Sequence, residues 1–331
     1  MIGSKPKIVV IGGGTGTATV LSALATPARF ELTAIVTVSD SGGSTGRLRD
    51  EFGFIPVGDV RACLAALATG HNSREVKDLL LYRFDRGEGL SGHNLGNLIL
   101  TALTDLYGTP GKAIEVASKI LRINGQVFPV SEQPADLVIH FTDGSQVIGE
   151  DYLNYIDRQG RKIARINLAR QTPIYPPAAQ AIREADLVII GPGDLYASLL
   201  PNTLVAGFRE ALAARRGKYI YIANLMSCAT QTLHLTATDH VAEICRYTGQ
   251  KPDIVVINNQ PITDRHLITR YQAAGLEPIV DDLDDREWTV KRAPLVAPVN
   301  AIPVKGDRLP RSFLRHHAGH LRALIEESLD V

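Results

Sequence analysis

The side chains whose type and setting best suit chemistry are two aspartates, each in a glycine-containing turn. Asp40 lies in Ser39-Asp-Ser-Gly-Gly-Ser-Thr-Gly46 and Asp59 in Pro56-Val-Gly-Asp-Val-Arg61. Upstream, a β-branched run ends in Gly12-Gly13-Gly14-Thr15-Gly16. Glycine has no Cβ, so backbone N–H groups can close on a phosphate while a following helix points its positive end at it. Thr17 stands where the last glycine of a dinucleotide G-x-G-x-x-G belongs, and no Gly-Lys-Ser/Thr follows, so the reading is a generic phosphate loop. Asp59 is placed as the N-cap of a helix over Val60 to Ala68, a role that needs no ligand. Asp40 follows a strand, where dinucleotide folds keep the acid that bonds a ribose hydroxyl. The neighbouring Gly42, Gly43 and Ser44 fit a sugar or phosphate contact better.

More polar side chains stand at helix starts and strand ends. Leu90-Ser-Gly-His-Asn-Leu-Gly-Asn97 runs into an apolar helix over Leu98 to Leu106. His93, Asn94 and Asn97 can donate to a diphosphate or sugar there; alternatively Asn94 caps the helix and His93 bonds backbone. Gly191, Gly193 and Asp194 follow the buried run Ala185 to Ile190, and Asn224 follows Tyr219 to Ala223. These are carboxyl ends of expected strands, where doubly wound sheets hold ligands. No Ser/His/Asp or Cys/His arrangement is legible, so binding is clearer than catalysis.

The elements that must position these groups follow from periodicity. Short β-branched runs alternate with helical patterns, which predicts an α/β, Rossmann-like, three-layer doubly wound fold with a mainly parallel sheet. The parallel core is expected to end near Ala273. From Gln133 the period becomes two: Leu137 to Ile148 turns at Asp143-Gly144, and Tyr152 to Leu168 repeats the pattern across Arg158-Gln-Gly160. An antiparallel β-hairpin insertion over about 133–168 is expected, with Arg158, Arg161, Lys162 and Arg165 on a solvated face. Thr238 reads as the cap of a helix from Asp239, and Asp281 to Asp285 as a solvated turn. A closing helix is expected over about 312–329, from near Ser312. His316 and His320 lie one turn apart on it, but without an intervening glutamate or third ligand they read as solvent-facing and not as a zinc pair. With no Pro/Gly/Ser-rich linker, residues 1–331 read as a single domain.

Composition narrows the partners. The 331 residues are 45% hydrophobic, and 35 Lys+Arg balance 35 Asp+Glu with no run of five like charges. That disfavours a nucleic-acid groove or an anionic membrane surface and favours small molecules. No cationic leader followed by an apolar stretch and no segment of eighteen apolar residues is present, so a cytoplasmic location is expected. Cys63, Cys228 and Cys245 are odd in number and lack C-x-x-C spacing, and read as buried thiols.

Six blocks carry a resemblance: Ile11 to Gly16, Val36 to Leu48 with Pro56 to Arg61, Gly92 to Asn97, Gly191 to Tyr196 with Pro201-Asn202, Asn224 to Met226, and Thr238 to Val241. Together they resemble the bacterial gluconeogenesis-factor family (YvcK-like), related to the 2-phospho-L-lactate transferases (CofD-like), over nearly the whole chain. The resemblance implies that Asp40 and Asp59 face one Mg²⁺-phosphate, that Asp194, Tyr196 and Ser198 close the pocket, and that Arg315 contacts a diphosphate. Where the family usually reads Arg-His-Asp this chain has Arg315-His316-His317, a departure at the third position. The implied function is a regulatory protein that binds a nucleotide sugar, a UDP-sugar such as UDP-N-acetylglucosamine, and links carbon supply to envelope synthesis and cell shape. The alternative is a Mg²⁺-dependent transferase in which a deazaflavin hydroxyl attacks the β-phosphorus of a GDP-linked phospholactate and GMP leaves. A nicotinamide dehydrogenase is disfavoured by the broken glycine fingerprint. A homo-oligomer is expected.

Overall fold

The computed structural model describes residues 4–155, 161–298 and 314–329. Its strands are β1 (Lys7–Gly12), β2 (Glu31–Val36), β3 (Gln126–Pro129), β4 (Leu137–Phe141), β5 (Gln146–Ile148), β6 (Ile163–Leu168), β7 (Leu187–Ile190), β8 (Lys218–Ile222), β9 (Ile254–Asn258) and β10 (Val290–Ala293). Seven form one sheet in the order β10-β9-β8-β7-β1-β2-β3, and every neighbouring pair is parallel. The chain winds outward from β1 through β2 to β3, then returns to the far side of β1 with β7. Strand order therefore reverses between β1 and β7, whose carboxyl ends flank a crevice.

A parallel sheet must be covered on both faces, which is why β1 reads as an unbroken apolar run. Its alternate residues feed two cores. Val9 and Ile11 pack with Ile35, Val188 and Ile190 on one face, under helices that supply Ile182, Phe208 and Ile244. Ile8 and Val10 pack with Ala34, Val36 and Ile189 on the other, under helices that supply Leu21, Leu64 and Leu321. Each such side chain stabilises the fold by about 1.5–3 kcal/mol relative to exposure. The expected Rossmann-like architecture is the one observed.

The insertion differs in detail from the sequence reading. It is a three-stranded antiparallel sheet, β5-β4-β6, in which Val138 pairs with both Ile148 and Asn167. The Asp143-Gly144 hairpin is present, and Asp143 Oδ1 accepts the Ser145 N–H at 2.8 Å. The turn expected across 158–160 lies outside the described residues; before it Tyr152–Tyr155 is a helical turn, not a strand, and after it β6 pairs with β4. Arg158 lies outside the described residues. Lys162 and Arg165 are solvated as expected, whereas Arg161 is half-buried over the Phe141 ring.

Short strands escaped the periodicity. β3 joins the sheet beyond β2, and the parallel core extends past Ala273 to β10. Thr236, not Thr238, caps the helix Ala237–Thr248, in a capping box with Asp239. Asp281 and Asp285 pair with Arg292 at 2.5 and 2.6 Å, so the acidic run is an ion-paired turn. Cys63 is buried, but Cys228 and Cys245 are only partly so. The closing helix is Ala318–Ser328, while Ser312 lies outside the described residues. No helix among the described residues is long and apolar enough to cross a membrane.

Candidate functional site

The first glycine loop lies at the reversal of strand order. β1 ends at Gly12, and the N-cap of the helix Gly14–Ala25 is Gly13, which has no side chain to cap it. A Cβ on Gly16 would stand 2.0 Å from the Pro192 carbonyl oxygen, so this glycine lets the loops after β1 and β7 touch. Gly14 has φ +60°, a conformation that favours glycine. Thr15 is half-buried in the first turn, and its carbonyl accepts the Thr19 hydroxyl. Asn202, fully buried, donates from Nδ2 to the Gly12 carbonyl at 3.2 Å and so ties the β1 turn to the segment after β7.

Two more helices start beside it from N-cap residues without a capping side chain. Gly42 precedes the helix Gly43–Phe52, and Val57 precedes the helix Gly58–Leu67; neither has a side-chain cap. Asp59 is therefore not the N-cap expected from its position: it lies in the first turn of its helix. Its Oδ2 stands 2.3 Å from where a Cβ on Gly13 would be, and its Oδ1 3.5 Å from that of Gly14. Asp40 Oδ1 accepts the Gly42 N–H at 2.9 Å, while its Oδ2 lies 3.2 Å from the Cβ position of Gly58. The fold thus brings both aspartates to the glycine loops.

His93, Asn94 and Asn97 are buried one layer behind. Asn94 Oδ1 accepts the Gly96 and Asn97 N–H groups and caps the helix Leu95–Tyr107. Asn97 Nδ2 reaches the hydroxyls of Ser44 and Thr45 at 3.4 and 3.3 Å, and His93 Nδ1 pairs with Ser44 at 3.2 Å. Burial, then nearby Arg47, holds the His93 pKa below the ordinary imidazole value. These three residues position the second loop. Asn224 acts likewise on the third: its Oδ1 accepts the Gly193 N–H at 2.9 Å and its Nδ2 donates to the Gly193 carbonyl at 2.8 Å. Gln231 Oε1 accepts the Tyr196 and Ala197 N–H groups at 3.2 Å each, fixing the π-helix Leu195–Leu199 that follows Asp194.

Sequence reasoning missed Glu150 and Asp151, which the insertion delivers to the crevice. The Asp151 N–H donates to Ser41 Oγ at 2.9 Å, and Asp151 Oδ1 lies 3.0 Å from the Cβ position of Gly42. Glu150 is buried, and its pKa is pushed up to about 9, first by desolvation and then by the charges of Asp40, Asp59, Asp194 and Asp151. Desolvation also raises Asp40, with Asp151 adding to it and the Gly42 N–H opposing it. Asp194 is raised by desolvation although its surface is exposed; water reaches it, but protein surrounds it, as on the wall of a cleft. Only the polar residues directly after Ile148-Gly149 at a strand end could have hinted at this pair.

Among the described residues no three His, Cys, Asp or Glu side chains are arranged to hold a metal unaided. Mg²⁺ requires less, since it is commonly held by one or two carboxylates with phosphate oxygens and water. Asp40 and Asp59 are hard oxygen donors of that kind, beside a loop open to phosphate, so the residues fit the ion.

Arg315 sits on a segment stitched to the same edge. Its carbonyl accepts the Ala297 N–H at 2.8 Å, and the next residue, His316, bonds the Ala223 carbonyl through Nε2 at 3.1 Å, beside Asn224. His316 is buried, contrary to the solvent-facing reading, while His320 is exposed as expected. A cavity of about 510 Å³ opens at the carboxyl ends of β8 and β9, with Leu225, Ile257 and Pro278 as apolar wall and Asn224, Asn258 and Asp281 as polar rim. Another, of about 430 Å³, lies at the opposite sheet edge, where Asp186 and Asp253 are paired with Arg216 and Arg215; it is remote from the loops.

Residues 8–296 match the profile of the family described as 2-phospho-L-lactate transferase CofD. This chain belongs to the CofD family. Within it, the Bacillus subtilis gluconeogenesis factor is 40% identical over 286 residues, 86% of this chain and 88% of that one. A Thermotoga maritima relative is 38% identical over 320 residues, 97% and 98% of the two chains. A crystal structure of a UPF0052-family protein from Bacillus halodurans superposes with a TM-score of 0.87 at 34% identity, covering 98% of this chain and 99% of that one.

The buried imidazoles of this CofD-family chain predict acid sensitivity. Burial lowers His240 and His316 to about 4. The unfolded chain binds these protons near pH 6.5 and the native state only near 4, so stability is retained above 6.5 and lost as pH falls through that window. The loss is on the order of 3 kcal/mol for each. Urea unfolding at pH 7 and 4.5 should show it, with a smaller drop in His316→Gln; equal drops would refute the assignment.

Proposed function

We propose that this chain binds a nucleoside-diphosphate sugar, specifically a UDP-sugar such as UDP-N-acetylglucosamine, and acts as a regulator. The observation that carries this reading is the meeting of three helix starts, at Gly14, Gly43 and Gly58, whose N-cap residues Gly13, Gly42 and Val57 carry no capping side chain, with Asp40 and Asp59 at the reversal of strand order. Helix N-termini favour an anion, and carboxylates beside them need a cation between themselves and a phosphate. Gly12, Gly13, Gly14, Thr15 and Gly16 would take the diphosphate with Gly191, Gly193 and Asp194, while Arg315 adds a guanidinium. Mg²⁺ would sit between Asp40, Asp59 and the phosphates and neutralise their charge. The cavity beyond Asn224 would take a base or sugar. The names of the relatives support a role in carbon metabolism; the link to envelope synthesis and cell shape, a cytoplasmic location and self-association belong to the same proposal.

A phospholactate transferase is the second reading, favoured by the family profile and by the density of carboxylates around Glu150. The two readings part in one experiment. Calorimetry should show a UDP-sugar bound in the presence of Mg²⁺ and recovered unaltered. Asp40→Asn and Asp59→Asn should each weaken binding at least tenfold with Mg²⁺ present and little without it, since an amide is a poor ligand for the ion. Release of GMP from a GDP-linked phospholactate, with no UDP-sugar binding, would make the transferase the better reading.

A further inference from the structure

His317 has a defined structural task. His317 is the N-cap of the closing helix Ala318–Ser328, and its Nδ1 accepts the His320 N–H at 3.2 Å. An N-cap is ordinarily Ser, Thr, Asp or Asn, whose oxygen stays an acceptor at neutral and mildly acidic pH. Imidazole differs, because protonation turns Nδ1 from acceptor into donor. The His320 ring stacks on that of His317 with centroids 4.0 Å apart and 19° between planes, and its own Nδ1 bonds the Pro294 carbonyl at 2.5 Å.

We propose that His317 and His320 form a pH-responsive cap that holds the Arg315–His317 segment on the sheet edge at neutral pH and releases it when the imidazoles gain protons. Three effects act in the same direction. The cap would present N–H to N–H, a cation would face the positive end of the helix, and two cationic rings would be stacked face to face. The segment directly before the cap is held by the His317 N–H to the Leu295 carbonyl at 2.7 Å and by the Ala297 N–H to the Arg315 carbonyl at 2.8 Å.

One contact opposes the change: His320 Nδ1 faces the Pro294 carbonyl and donates to it in either protonation state, so the loss falls on the His317 cap. At the far end of the helix Lys291 pairs with Glu327 at 3.7 Å. Arg315 and the buried His316 precede the pair. Arg322 and Glu326 follow on the helix and bond each other at 2.8 Å, with Arg29 opposite Glu326. The helix Arg265–Ala273, which meets the segment where Tyr271 Oη accepts the Leu314 N–H, carries Arg265, His266 and Arg270. The helix Gly14–Ala25 and residues 294–297 carry no charged side chain. Among the described residues neither His317 nor His320 has an ion-pair partner. The geometry of the cap stands apart from the nucleotide reading; only its consequence, loss of Arg315 from the crevice in acid, rests on that reading.

Amide hydrogen exchange on the ligand-free full chain tests the cap directly. Protection factors at residues 318–321, and at the amides of Ala297 and His317, should fall about tenfold between pH 7.5 and 5.5 after correction for intrinsic rates, the size expected of a lost cap. His317→Asp should keep its protection across the same range, and His317→Asn, a neutral cap, serves if the aspartate variant does not fold. Wild-type protection that does not change with pH, or an equal fall in the variant, would overturn the proposal.

Discussion

Glu150→Gln is expected to raise the stability of the ligand-free protein at pH 7 by on the order of 3 kcal/mol and to remove a contribution that falls as pH rises. The sign follows from the two proton affinities. The unfolded carboxyl ionises near 4.5, whereas the native one, desolvated and ringed by four aspartates, holds its proton to about 9. Native Glu150 thus binds more protons throughout that window, and stability falls as pH rises through it. Glutamine imitates the protonated group and does not titrate. Urea unfolding at pH 5 and 8 is the measurement: the contributions of His240 and His316 are common to both proteins, so the stability of the variant relative to wild type should rise by on the order of 4 kcal/mol from pH 5 to pH 8. Parallel profiles would mean that Glu150 is ionised in the native protein at neutral pH. The gain would identify a residue retained at a cost in stability, as expected where carboxylates are gathered for a ligand.

Gly16→Ala should have the opposite effect. Its Cβ would meet the Pro192 oxygen at 2.0 Å, the Pro192 carbonyl carbon at 2.7 Å and the Gly193 nitrogen at 3.2 Å, all backbone atoms that no rotamer change can move. Overpacking of this kind costs about 1–3 kcal/mol, and the relief open to it is separation of the loops after β1 and β7. We expect lower stability and at least a tenfold loss of UDP-sugar affinity. Gly14→Ala is the informative comparison: its nearest neighbour would be Asp59 Oδ1 at 3.5 Å, so only the strain of φ +60° remains, about 1–2 kcal/mol. Unchanged affinity in Gly16→Ala would show that contact between the loops is not needed for the ligand.

The local parts of this architecture were legible because their causes are local. A β-branched apolar run ending in glycines specifies a buried parallel strand and a turn open to backbone approach, and β1, β2 and β7 follow that rule. β3 and β10 are as short as β7 but, as Gln-Val-Phe-Pro and Val-Lys-Arg-Ala, carry no unbroken apolar run to mark them. Asp59 misled because a single aspartate ahead of an apolar stripe satisfies the capping rule, yet the helix begins one residue earlier, at Gly58. His316 misled because spacing along the chain does not say which side of a segment faces the sheet.

The sequence by itself determined the fold class and the glycine loops at the strand ends. Tertiary structure alone decided which further groups meet them. Asn202 reaches Gly12 across 190 positions, and Asp151 reaches Ser41 across 110. Periodicity and turn chemistry act over a few residues, whereas these meetings depend on the order in which strands cross over β1 and on an insertion that folds back over the crevice. No residue pattern near Glu150 encodes its four carboxylate neighbours; packing brings them together, and packing also removes the water that would otherwise screen them.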